Sequence, residues 1–148
     1  MNGQALITAR NLSVSFGSTV AVKNVSFTVQ AGRCLALVGE SGSGKSVTAR
    51  SLLGLSGGTA TADELAVCGQ DALSLSERSW QQIRGNSVSM ILQDALMALD
   101  PLRPVGREIG DALKAHGKLP RAQRQQRVIQ VLESVRMPEA ERRARQRS

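Results

Sequence analysis

Cys34-Leu35-Ala36-Leu37-Val38-Gly39-Glu40-Ser41-Gly42-Ser43-Gly44-Lys45-Ser46 is the stretch on which the fold turns. Residues 34–38 are apolar on both faces, the pattern of a central strand in a parallel sheet. Residues 39–46 match G-x-x-x-x-G-K-[ST]. The glycines let the backbone turn tightly, so that successive N–H groups converge on phosphate oxygens. A helix expected over 45–53 adds its positive end at the same place. Lys45 supplies a mobile charge for the outer phosphates, and the Ser46 hydroxyl is placed to ligate Mg²⁺. A Gly/Ser loop between an apolar strand and a helix is the context that gives this motif its meaning. It predicts a site for the triphosphate tail of a nucleotide.

Working outward, residues 5–16 and 20–29 alternate loosely and are rich in β-branched side chains, which predicts two strands, with a turn at 30–33. Gly54 and the pair Gly57-Gly58 end the helix after the loop. Residues 62–70 return to strand. Ser74-Leu75-Ser76-Glu77 has capping-box form and Gly85 is a stop, giving a helix over 75–84. Residues 87–92 are another strand candidate. Beyond Pro101 and Pro104, Ile109 and Leu113 fit one helix, and Val128, Val131, Leu132 and Val135 fit a second. No internal repeat is visible.

Composition narrows the classes. Apolar residues make up 41% and charged residues 21% of 148, which argues against disorder and allows one domain with a core. That core must be aliphatic, because Phe16, Phe27 and Trp80 are the only aromatics. The formal charge of +7 is concentrated in residues 121–148, where eight arginines stand against three glutamates. Such an end could meet nucleic acid or anionic lipid, but it carries no aromatic for base stacking, and a solvated helical face is the plainer reading. Cys34 and Cys68 lie in apolar stretches without metal spacing, so they read as buried reduced thiols. No signal peptide is visible, and no apolar run reaches the ~20 residues that span a bilayer.

The stretch G-E-S-G-S-G-K-S-V-T, preceded by V-x-x-V-S-F-T-V-Q-A-G-R, resembles the ATP-binding subunits of ABC transporters. Ser89-Met90-Ile91-Leu92-Gln93-Asp94 resembles that family's Q-loop. Ala98-Leu99-Asp100-Pro101 and Val105-Gly106-Arg107-Glu108-Ile109 resemble the segment after it in oligopeptide, dipeptide and nickel importers. The resemblance covers nearly the whole chain. It implies an α/β fold: a P-loop NTPase (RecA-like) core, an N-terminal antiparallel β subdomain and the start of a helical subdomain, together an incomplete ABC ATPase domain. On that pattern 1–33 and 60–75 form the antiparallel portion, 34–58 and 86–93 the P-loop core, and 94–148 the beginning of the helical part.

The resemblance also implies roles. ATP would lie on Gly39, Glu40, Ser41, Gly42, Ser43, Gly44, Lys45, Ser46 and Val47, with Phe16 stacking on the adenine. Gln93 would reach Mg²⁺ and the attacking water, and relay nucleotide state to membrane subunits. The implied partners are integral membrane permease subunits and a second ABC ATPase subunit, at the cytoplasmic face of the inner membrane, with no nucleic acid.

Departures from the pattern matter as well. Residues 94–99 read Asp-Ala-Leu-Met-Ala-Leu, where the subfamily usually has Pro after the Asp and Thr or Ser before the Leu. Leu55-Ser56-Gly57-Gly58 spells the start of the ABC signature but directly follows the loop helix, and it is expected to be a helix-ending loop. The signature proper, the strand ending in Asp-Glu and the switch histidine are not found in the sequence; His116 is upstream and cannot serve. Residues 90–94 could imitate the Asp-ending strand with Asp94 on Mg²⁺, but Ala95 stands where a catalytic Glu would. The expectation is a truncated ATPase that binds nucleotide weakly without turnover, with residues 34–38 as an exposed apolar edge. An ABC-type ATPase acting on nucleic acid, a small P-loop kinase using Asp94 and a non-catalytic remnant remain as alternatives.

Overall fold

The computed structural model describes residues 4–92, 99–117 and 119–146. The chain divides into two compact units, Met1–Ser89 and Met90–Ser148.

The first unit is built on an antiparallel sheet. Strands β1 (Ala5–Phe16) and β2 (Thr19–Gln30) form a long hairpin. The other edge of β1 pairs with β3 (Thr59–Thr61) and β4 (Glu64–Val67), and β4 pairs with β5 (Gln70–Asp71). β1 buries Ala9, then Leu12 and Val14, so its inward face moves from odd to even positions. The step is a bulge: the register shifts between Ala9 and Leu12, and Asn11 takes φ +52°. The Asn11 amide donates to Ser26 Oγ at 2.9 Å, which stitches the bulge to β2. One face of the sheet thus carries Leu12, Val14, Val22, Leu65 and Val67, covered by Trp80 and Ile83 of α2 (Glu77–Ile83).

Between β2 and β3 lies α1 (Lys45–Ser51), shorter than the 45–53 expected. The start of α2 also differs from expectation. Its N-cap is Ser76, whose hydroxyl accepts from the Ser79 amide at 3.2 Å. Ser74 donates its hydroxyl to the Asp71 carbonyl instead, so the capping-box pair Ser74/Glu77 is not used as such.

Two expected strands do not form. Residues 33–40 have no regular structure and are exposed throughout, with Val38 92% accessible. Residues 87–92 contribute one isolated parallel bridge, Val88 to Arg84, and Ile91 is 99% accessible. A strand that is apolar on both faces needs hydrogen-bonded neighbours on both edges and cover on both faces. Among the described residues none supplies them. The same fact corrects the reading of the cysteines: Cys34 is exposed, and Cys68, in the turn between β4 and β5, is half-buried.

The second unit holds α3 (Val105–His116), α4 (Arg121–Ser134) and α5 (Ala140–Arg145). α3 and α4 follow directly on Pro104 and Pro120, whose fixed φ suits a helix start. Val128, Leu132 and Ala140 are buried, with Ile109 and Leu113 packed on them. Val135, expected in that stripe, lies past the end of α4 and is exposed. α5 was not expected from the sequence. α3 and α5 approach closely: a Cβ on Gly106 would lie 2.6 Å from the Ala144 carbonyl oxygen. Arg142, Arg143 and Arg145 face solvent, as a solvated helical face requires.

Candidate functional site

The loop at 39–44 is shaped by contacts that its small residues permit. A Cβ on Gly39 would stand 2.6 Å from Ser43 Oγ. Gly44 takes φ +84° and lies against β2, so that a Cβ there would meet the Ala21 carbonyl oxygen at 2.5 Å and Val22 Cγ2 at 3.1 Å. Lys45 folds back over the loop. Its Nζ donates to the carbonyls of Gly39 at 2.8 Å and Glu40 at 2.6 Å, and reaches Ser43 Oγ at 3.3 Å. The ammonium therefore sits inside the curl of its own loop.

The first turn of α1 is anchored on one carbonyl. Gly44 O accepts from the Thr48 amide at 2.8 Å and from Thr48 Oγ1 at 2.9 Å. Among the described residues, the amides of Gly42, Gly44, Lys45 and Ser46 have no acceptor. Ser46 is exposed, whereas Val47 packs on the core of the sheet. Over residues 31–62 there are three basic side chains and a single acidic one, Glu40. Unpaired N–H donors beside a held ammonium fit a polyanion.

Phe16 closes the hairpin opposite Thr19, two residues before Ala21, and 41% of it is accessible. Its ring rests beside the 56–58 loop: a Cβ on Gly58 would come within 3.1 Å of Phe16 Cζ. That loop leads straight into β3 and starts no helix, as expected for 55–58. Gln93 and Asp94 lie outside the described residues.

The sequence reading singled out neither Trp80 nor Arg84, which the structure brings against the far end of α1. The one signal was that Trp80 is the only tryptophan. Nothing in the spacing of Arg84 from Leu53 and Gly54 announced their contact, about thirty residues apart in the chain.

The family model for ABC transporters matches residues 22–148. The chain belongs to the ABC transporter family. Curated relatives within it include the dipeptide transport ATP-binding protein DppD of Lactococcus lactis, 40% identical over 148 residues, of which the chain covers 42%. The oligopeptide transport ATP-binding protein OppD of Escherichia coli is 36% identical over 149 residues, and the chain covers 43% of it. The peptidoglycan transport ATP-binding protein YejF of Agrobacterium fabrum is 40% identical, with 27% of its length covered. The chain thus spans less than half of each of these relatives, while 94–96% of the chain itself is matched. A solved structure titled as the ATP-binding subunit of an ABC transporter superposes with a TM-score of 0.64 at 22% identity, covering 96% of this chain and 54% of that one. The fold is therefore that of part of an ABC ATPase domain, a P-loop NTPase, and the family implies nucleotide binding. Among the described residues no helix is long and apolar enough to cross a membrane.

Proposed function

We propose that this ABC-family chain binds ATP on the loop 39–47 and serves as the nucleotide-binding portion of an energy-coupling subunit in an importer of peptides or related solutes such as nickel. The observation that carries the proposal is the Lys45 ammonium held on the Gly39 and Glu40 carbonyls, beside unbonded amides at 42 and 44–46. That lysine is placed to exchange two neutral carbonyls for the outer phosphates of a nucleotide, and the amides to hold the phosphates between them. Ser46, exposed at the second position of α1, is the described residue that would hold Mg²⁺. The ion when bound would neutralise charge on the outer phosphates. Phe16 would take the adenine on its accessible face.

Positioning of the attacking water is proposed for Gln93. Permease subunits and a second ATPase subunit are the proposed partners, at the cytoplasmic face of the membrane. The relatives named for dipeptide and oligopeptide transport support that choice of system.

The test is calorimetric titration of ATP into the purified chain and into Lys45→Ala. Loss of the charged contact should weaken binding by about 1.5–3 kcal/mol, more than tenfold. Unchanged affinity in Lys45→Ala would end the assignment.

A further inference from the structure

We propose that Arg84 is a positioning residue for the phosphate loop, acting through the far end of α1; the inference rests on the reading of that loop as the nucleotide site. α1 has seven residues, too few to hold a helix by itself. Its buried side chains are the polar Thr48 and Ser51, and both turn back on local backbone, Thr48 to Gly44 O and Ser51 Oγ to Thr48 O at 2.6 Å. Val47 packs on the core of the sheet, and beyond that contact the orientation of α1 is set at its two ends. One end is the close approach of Gly44 to Ala21.

The other end is closed in two layers. The Leu55 amide donates to Arg50 O at 2.9 Å and the Gly54 amide to Ser51 O at 3.1 Å, the crossed pair that commonly finishes a helix. Arg84 takes two carbonyls of the turn beyond: Nε donates to Leu53 O at 2.7 Å and Nη2 to Gly54 O at 3.2 Å. From its other side the same guanidinium is gripped by Glu77, Nη1 to Oε1 at 2.6 Å and Nη2 to Oε2 at 3.4 Å. It lies over Trp80, 5.6 Å from the ring centroid, and its side chain is only 20% accessible. Trp80 in turn lies against the backbone of Gly54, where a Cβ would be 2.6 Å from the indole.

Arg84 thus ties α2 to the C-terminal end of α1, and its positive charge suits that end of the helix. Only a planar fork can serve two carbonyls and a carboxylate together; a lysine ammonium is a single point. Without the clasp, the C-terminal end of α1 loses its tie to α2, and a tilt about Gly44 and Val47 would carry Lys45, Ser46 and the loop amides with it. Arg84 then governs nucleotide affinity without touching nucleotide.

The test measures ATP and inorganic tripolyphosphate binding to wild type, Arg84→Met, Arg84→Lys and Lys45→Ala. It is run at a temperature where Trp80 emission and far-UV circular dichroism show each variant folded. Arg84→Met should lose about fivefold or more in affinity, the lower range for coupling between separate sites. The loss should be equal for both ligands, and Arg84→Lys should not recover it. A role in stability alone would lower the melting temperature and leave affinity in the folded protein unchanged, which overturns the proposal. Where Arg84→Met does not fold, Glu77→Gln, which removes one anchor and keeps the arginine, replaces it; wild-type affinity in that variant overturns the proposal as well. Loss of binding in Lys45→Ala with none in the Arg84 variants discards the clasp and keeps the loop. No loss in Lys45→Ala discards both.

Discussion

Gly42 and Gly44 share a left-handed backbone, φ +82° and +84°, but differ in what surrounds them, which makes a matched pair for testing how the loop is held. Alanine at either position bears the left-handed penalty of about 1–2 kcal/mol. At Gly42 nothing lies within 4 Å of the added methyl, so the penalty ends there. At Gly44 the methyl would stand 2.5 Å from the Ala21 carbonyl oxygen, a backbone atom inside β2 that cannot rotate away. Forcing that contact apart adds about 1–3 kcal/mol, the usual range for overpacking. Gly44→Ala should therefore cost about 2–5 kcal/mol in all, a large share of the 5–15 kcal/mol that holds a typical domain. The assay is urea unfolding followed by Trp80 emission, since this sole tryptophan is buried in the same unit as the loop. With slopes of about 1–3 kcal/mol per molar urea, the Gly44→Ala midpoint should fall about 1–2 M below wild type, and that of Gly42→Ala by about half as much or less. Equal shifts in the two variants would refute the claim that the contact with Ala21 fixes the loop.

Phe16→Ala should weaken ATP binding by about 1–3 kcal/mol, the worth of one base stacked on an aromatic ring, and leave tripolyphosphate binding as it was. An equal loss for both ligands would mean that Phe16 only supports the loop at 56–58. In the helical unit, the Arg103 guanidinium bonded to Asp111 holds that carboxyl below the usual carboxylate range. A carboxyl lowered in the folded state stabilises fully above its unfolded pKa of about 4, and that contribution drains away as pH falls through the lower native value. Asp111→Asn should accordingly flatten the acid side of the stability profile read from helical circular dichroism, and lower its neutral and alkaline side by a constant amount without changing the slope there. An unchanged acid limb would show that the pair contributes nothing.

Much of the local structure was legible because its causes are local. The alternation of residues 5–16 and 20–29 predicted the two strands that form the hairpin, Pro104 stands where α3 begins, and the glycine spacing at 39–44 marked the loop. The bulge at Asn11 was not legible, since an alternating pattern that slips by one residue is indistinguishable from loose alternation. Ser74 and Ser76 both offered a hydroxyl for α2, and the Asp71 carbonyl, which takes Ser74, decided between them. Gln93, read by resemblance, falls outside the described residues.

The sequence by itself determined the glycine loop, its lysine and the helix that follows, because tight turns and charge are written in consecutive residues. Tertiary structure alone decided that residues 34–38, expected as an exposed strand, form no strand at all, since a strand exists only where another strand bonds to it. It also decided that Arg84 and Trp80 reach the turn that ends α1, contacts of side chains with backbone about thirty residues away that no periodicity records.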